Sequence, residues 1–118
     1  MSRHPQRLLD YLEHILEAIE RIEVYTADMT EPAFLDDKLV QDAVVRNLEV
    51  IGEASRNIER HHPEFASNHP ELPLLAAYEM RNALAHGYFS VDMGLVWQTL
   101  QKELPDLQFT VTRLYREL

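Results

Sequence analysis

The chain has no cysteine and only three glycines among its 118 residues. Without cysteine there is neither a disulfide framework nor a thiolate metal site, which fits a reducing cytosol. So few glycines argue against a hairpin-rich β protein. No stretch approaches the roughly 18 apolar residues of a membrane-spanning helix, so the sequence predicts a soluble, cytoplasmic protein without membrane contact. Met1 to Asp10 holds two arginines and no apolar run, which does not read as a secretory signal. Basic residues are scarce as well: 11 Lys and Arg stand against 20 Asp and Glu, a net charge of −9. Phosphate backbones are bound largely by Lys and Arg, which neutralise charge and release counterions. This chain lacks that global attraction, so any contact with nucleic acid has to be local. Neither half is basic, since residues 1–60 hold 13 acids and 7 bases and residues 61–118 hold 7 acids and 4 bases.

What is present is a dense helical pattern. A hydrophobic share of 46% suits a packed core, and the length suits one domain over residues 1–118. Leu8, Leu12, Ile15, Ile19 and Ile22 recur at spacings of 4, 3, 4 and 3, with Leu9 and Leu16 widening the stripe. With Ser2 as cap and Pro5 in the first turn, a helix is predicted to about Thr26. Ala27 to Asp37, with Pro32, reads as a connection. Asp36 then caps a second helix to about Arg60, carrying Val40, Val44, Leu48, Ile51, Ser55 and Ile58. His61 to Pro73 holds three prolines and reads as a long loop. A third helix runs from about Pro73 to Ala85. Asp92 caps a fourth with Leu95, Val96, Thr99, Leu100 and Leu104. Pro105 allows a break before a fifth with Leu107, Val111, Leu114 and Leu118. The fold class is all-α, an antiparallel bundle of about four to five helices.

The densest chemistry lies between Tyr78 and Tyr88. Tyr78, Asn82 and His86 are spaced four apart, so a helix puts them on one face. Arg81 precedes His86 by five residues, about 140° round an ideal helix. Cooperation between the two requires the long arginine side chain to bend round, or a second subunit to complete the site. Gly87 suits the residue that ends a helix, leaving His86 in the C-terminal turn, where the imidazolium is favoured. Cleaving RNA without a metal requires removing a proton from the 2′-hydroxyl and delivering one to the leaving 5′-oxygen. Histidine titrates nearest neutral pH and suits that work. Arginine's fork meets charge on the phosphate, and Asn82 can orient a phosphate or the imidazole. From spacing alone, the plainer reading comes first: His86 ends a helix and Arg81 is a surface ion-pair partner, since an arginine and a histidine five apart are common.

Arg81-Asn82-Ala83-Leu84-Ala85-His86-Gly87-Tyr88 resembles the Arg-x4-His-x-Tyr motif of HepT-like toxins of the HEPN ribonuclease superfamily. Asp42 to Ala54 resembles that family's second helix. Phe89-Ser90-Val91-Asp92, Val96-Trp97 and Glu103-Leu104-Pro105-Asp106-Leu107 resemble its last part. The similarity runs along nearly the whole chain in the expected order. Pro73 to Met80 departs from it, since a tryptophan is expected near its start. The resemblance implies a dimeric, metal-independent ribonuclease with no cofactor, acting on RNA as the toxin of a toxin–antitoxin pair. Its partner is then a small nucleotidyltransferase antitoxin of the MntA kind, and the homodimer leaves room for a larger assembly with it. Arg81 and His86 become the catalytic pair with Asn82 in support, and Tyr88 the tyrosine that the antitoxin adenylylates. An AMP there would put bulk and negative charge beside the pair.

Other residues are weighed against plainer roles. Arg46, Glu49, Glu53, Arg56 and Arg60 fall at spacings of 3, 4, 3 and 4 on the second helix. They form either a cleft wall facing the motif or a solvated, salt-bridged face. Gly52 inside that helix costs roughly 1 kcal/mol against alanine, which close packing of another helix, or a dimer seam, would explain. His61, His62 and His69 lack the rigid spacing and supporting shell of a zinc site, so no metal is expected. Trp97 and Phe89 read as core or interface aromatics. Two rival functions stand beside the ribonuclease: a non-catalytic interaction or nucleotide-binding module that partners a minimal nucleotidyltransferase, and a helical dimer with no site at all.

Overall fold

The computed structural model describes residues 3–74 and 92–118, together with 77, 80, 81 and 83 between them. Six helices are bounded among the described residues: α1 Arg3–Tyr25, α2 Glu31–Leu35, α3 Lys38–His61, α4 Pro63–Asn68, α5 Met93–Lys102 and α6 Leu104–Glu117. Leu74, Ala77, Met80, Arg81 and Ala83 also have helical backbone. No strand occurs among the described residues. Ser2, the expected cap of α1, lies outside them.

α1 forms because its apolar side chains repeat at helical spacing, and all five of the expected stripe are buried, joined by Tyr11 and Ala18. Its end is turned by Asp28, whose φ of 62° places a non-glycine residue in the left-handed region. Aspartate tolerates that conformation better than most side chains. The expected connection then contains α2. Thr30 accepts a hydrogen bond from the Ala33 amide at 3.3 Å, and Pro32 occupies the first turn. The short helix exists to deliver Phe34, fully buried and 5.2 Å from the Trp97 ring.

The cap of α3 is Asp37, not Asp36. The Asp37 carboxylate accepts from the Val40 amide at 3.1 Å, while Asp36 closes α2. Buried Gln41 donates to the carbonyls of Phe34 (2.9 Å) and Leu35 (3.0 Å) at the end of α2, adding to the bond that the Asp37 amide already makes to Phe34. Two other buried polar residues bond back along the helix: Asn47 Nδ2 donates to the Ala43 carbonyl and Ser55 Oγ to that of Ile51. The predicted 61–73 loop is partly helical, because α4 starts at Pro63, whose missing N–H costs nothing in a first turn. Asp92 caps α5 through the Gly94 and Leu95 amides. Pro105 opens α6, which takes Leu104 from the helix before it.

Side-chain pairs give the directions. Glu13, early in α1, accepts from the Tyr115 hydroxyl late in α6 at 2.9 Å. Glu23, late in α1, accepts from Gln108, early in α6, at 3.3 Å. Those two helices therefore run antiparallel. Tyr11, early in α1, stacks on His61 at the end of α3 with centroids 6.4 Å apart, so this pair is antiparallel too. The core lies where α1, α3 and α6 meet, built by Leu12, Ile15, Ile19, Val44, Ile58, Val111 and Leu114. The helical bundle is the expected one, with two short helices added.

Candidate functional site

Arg81 reaches its position through a close approach of two backbones. Gly52 is buried in α3, and an ideal Cβ built there would fall on the Arg81 Cβ and lie 2.9 Å from the Ala77 carbonyl oxygen. Only glycine lets Ala77 and Arg81 sit this close to α3, which explains the helix-propensity cost of about 1 kcal/mol. The packing explanation of Gly52 is the one observed.

One residue further along α3, the Glu53 carboxylate pairs with the Arg81 guanidinium at 3.1 Å. Glu53 is about half exposed and Arg81 about one-third, at 53% and 30% of their side-chain surface. An exposed pair of this kind is worth about 0–1 kcal/mol in stability. Its consequence is direction, since it draws the guanidinium to the Glu53 side of α3.

The pair borders a recess of about 230 Å³ lined by His14, Arg46, Glu49, Val50, Glu53, Ala54, Asn57 and Arg81. Of the expected cleft wall, Arg46 and Glu53 line it, with Glu49 between them. Arg56 is half-buried and has partners of its own, but the lining residue at that end is Asn57. His14 comes from α1, which the sequence had not linked to this wall. Its ring meets that of Tyr11 edge-on, with centroids 6.5 Å apart and planes at 70°.

A larger groove of about 410 Å³ lies on the other side of the same turn, lined by apolar residues such as Leu48, Ile51, Met80 and Leu104. Its charged lining among the described residues is Glu71, Glu103 and Asp106, with no base. Acids without a base repel phosphate. The smaller recess, where two arginines and a histidine stand against Glu49 and Glu53, is the better place of the two for a phosphodiester.

Three histidines that suggested a metal are divided between two places. His61 and His62 sit against Tyr11, the latter at 6.2 Å, and His69 lies 4.5 Å from the Phe65 ring with its Nδ1 3.3 Å from Glu71. Asn82, His86 and Tyr88, the other members of the expected site, lie outside the described residues.

The Ribonuclease HepT-like family matches residues 15–114. The chain belongs to that family. It is 44% identical over 108 residues to a protein of Methanocaldococcus jannaschii named "Gamma-glutamylcyclotransferase and putative RNase", covering 92% of this chain but 47% of that one. This chain therefore spans about half the length of that relative. A "Probable ribonuclease HepT" of Thermococcus cleftensis is 46% identical over 99 residues, 84% of this chain and 87% of its own. A "Putative RNase" of Caldanaerobacter subterraneus is 35% identical over 107 residues, 91% and 93% of the two chains. No solved structure matches the chain.

Proposed function

We propose that the chain is a ribonuclease of the HepT type, working without a metal as the toxin of a toxin–antitoxin module. The observation that supports this most is the placement of Arg81, aimed by Glu53 into a recess that also holds Arg46, His14 and Asn57, in a chain belonging to a ribonuclease family. In this reading His86 transfers protons, Arg81 meets the phosphate charge and Asn82 orients. The chain acts in the cytoplasm as one helical domain and as a homodimer. A nucleotidyltransferase antitoxin neutralises it by adenylylating Tyr88, whose new charge and bulk fall two residues from His86.

The test is growth after induced expression, with total RNA analysed alongside, for wild type, His86→Ala and Arg81→Ala. Arrest and RNA cleavage by the wild type alone is the expected outcome. Equal cleavage by wild type and His86→Ala sinks the assignment. Coexpression with a nucleotidyltransferase antitoxin of the MntA kind should add the mass of one AMP, and Tyr88→Phe should remove that addition.

A second reading has an observation in its favour. The net charge is −9 and Arg81 is paired with an acid, which suits a module that is bound by a nucleotidyltransferase and cuts nothing. It predicts a complex that Arg81→Ala leaves intact, and no RNA cleavage.

A further inference from the structure

A chain of net charge −9 holds RNA only where its bases are gathered, and the fold gathers them along one seam. Arg7, His14 and Arg21 are spaced seven apart on α1, so they fall within about 40° of one another around the helix. His14 sets that flank against α3, because it lines the recess with Arg46, Glu53 and Asn57. On α3 the same flank continues one turn past Asn57 to Arg60 and His61. His61 stacks on Tyr11 of α1. The two helices are antiparallel, so Arg7 lies at the His61 end of the seam and Arg21 at the Arg46 end, where Arg81 joins it. We infer that this seam is the path by which single-stranded RNA reaches Arg81, with phosphates on the arginines and unpaired bases on the exposed imidazoles. This rests on the ribonuclease reading above and gives its substrate class as unpaired RNA.

The charges are sorted between flanks. Five of the chain's 11 Lys and Arg stand on the seam: Arg7, Arg21, Arg46, Arg60 and Arg81. The acids of α1 turn away from it, since Glu13 and Glu23 accept from Tyr115 and Gln108 of α6, with Asp10 and Glu17 at the seam's edge. Asp42, Glu49 and Glu53 share the seam flank of α3, and Glu53 is taken up by Arg81. Arg7, Arg21, Arg46 and Arg60 are exposed, and among the described residues no acid comes within ion-pair reach of them. Their guanidiniums are open to phosphate. Arg7 to Arg21 and Arg46 to Arg60 each cover about 21 Å of helix, room for several nucleotides.

The imidazoles favour RNA over an acidic protein surface as the occupant. Buried Tyr11 covers one face of His61 with planes at 20°, and among the described residues no second ring meets the other face. His14 meets Tyr11 alone. Unpaired bases stack on such rings, whereas bases within a duplex already stack on each other.

The experiment reads binding and cleavage separately. Binding is measured by fluorescence anisotropy, across a salt series, on a single-stranded oligoribonucleotide whose 2′-O-methyl riboses prevent cleavage. Cleavage is measured on the same sequence with free 2′-hydroxyls. The variants are Arg7→Ala with Arg60→Ala, His61→Ala alone, and Lys102→Ala on α5 as a control away from the seam. All four side chains are exposed, so circular dichroism and Tm should match wild type. Each phosphate contact to a single strand adds about 0.7 to the slope of log affinity against log salt. The double variant should therefore lower that slope by about 1.4 and weaken binding about tenfold at low salt. His61→Ala should weaken binding about fivefold at unchanged slope. Lys102→Ala should change neither. A slope that the double variant leaves unaltered, or that Lys102→Ala lowers equally, overturns the inference while a cleaving wild type keeps the ribonuclease reading. Wild-type affinity in His61→Ala overturns the assignment to unpaired bases. Loss of a nucleotidyltransferase complex in the double variant, with RNA affinity intact, overturns the inference by making the seam a protein-docking surface. A wild type that cuts no RNA overturns both readings.

Discussion

The two sides of α3 share a backbone and differ in almost everything else. Leu48 and Ile51 face the larger groove, where most side chains are apolar and the charged ones among the described residues are acids. Arg46, Glu49, Glu53 and Asn57 face the recess, where charges of both signs converge. The turn carrying Arg81 touches both, with Ala77 and Met80 on the apolar side and Arg81 on the polar one. Between them stands Gly52. One helix therefore does two jobs at once. Its apolar side holds the turn in place, and its polar side decides where that turn's arginine points.

The comparison breaks most severely at the seam. Replacing Gly52 by alanine puts a Cβ where the Arg81 Cβ already lies. Overpacking of this kind costs about 1–3 kcal/mol, against about 1 kcal/mol gained in helix propensity. Urea unfolding should show a lower midpoint at unchanged m, and RNA cleavage should fall with it because Arg81 is pushed off Glu53. A midpoint clearly above that of wild type would mean that helix propensity dominates and the two backbones are not in close contact.

Glu53→Gln separates the two sides more sharply. The pair it breaks is exposed, so stability should stay within about 0.5 kcal/mol. Activity should respond, because misplacing a charge partner by an ångström costs up to about 100-fold, and a drop of about tenfold in RNA cleavage is expected. Unchanged cleavage with unchanged stability would make the Glu53–Arg81 pair an ornament of the surface.

These three neighbours were not equally legible in the sequence. Ile51 followed from apolar periodicity. Gly52 announced a close approach by being a glycine inside a helix, and Glu53 fell on a charged stripe that could be a wall or a solvated face. The long helices were readable for the same reason, since a stripe repeated over five positions, from Leu8 to Ile22, outweighs local ambiguity. Short helices were not. α2 and α4 have five and six residues, too few for a periodicity to show, and Pro32 and Pro63 read as breaks where they open first turns. Asp36 and Asp37 are adjacent, and either can cap, so only the geometry assigned the cap to Asp37. His14 and Asn57 were missed because their meeting depends on how α1 crosses α3. A signal existed in α1, where Tyr11, His14 and Ala18 are spaced 3 and 4 and the outer two are buried. That spacing marks His14 as lying along the flank of the packed face.

The smallest expected effect concerns how the turn is tethered from its other end. Glu71 follows α4 and lines the larger groove, and its carboxylate accepts from the Arg113 guanidinium of α6 at 2.8 Å. The Arg113 guanidinium, with help from the Glu71 backbone and from His69, holds that carboxyl well below its ordinary 4.5, at about 2. A carboxyl depressed on folding contributes stability that is fully present above the unfolded value and lost as pH falls through the folded one. The contribution of Glu71 is therefore whole at neutral pH and fades between about 4.5 and about 2. Glu71→Gln should lower Tm slightly at pH 7, and the gap from wild type should close as pH falls through that window. Tm measured every half unit of pH checks it. A gap that persists unchanged at pH 2 would mean that Glu71 acts by packing along the groove and not by its charge. A gap that closes would make the tether electrostatic, leaving the close approach of Arg81 to Gly52 of α3 as the pH-independent hold on Arg81.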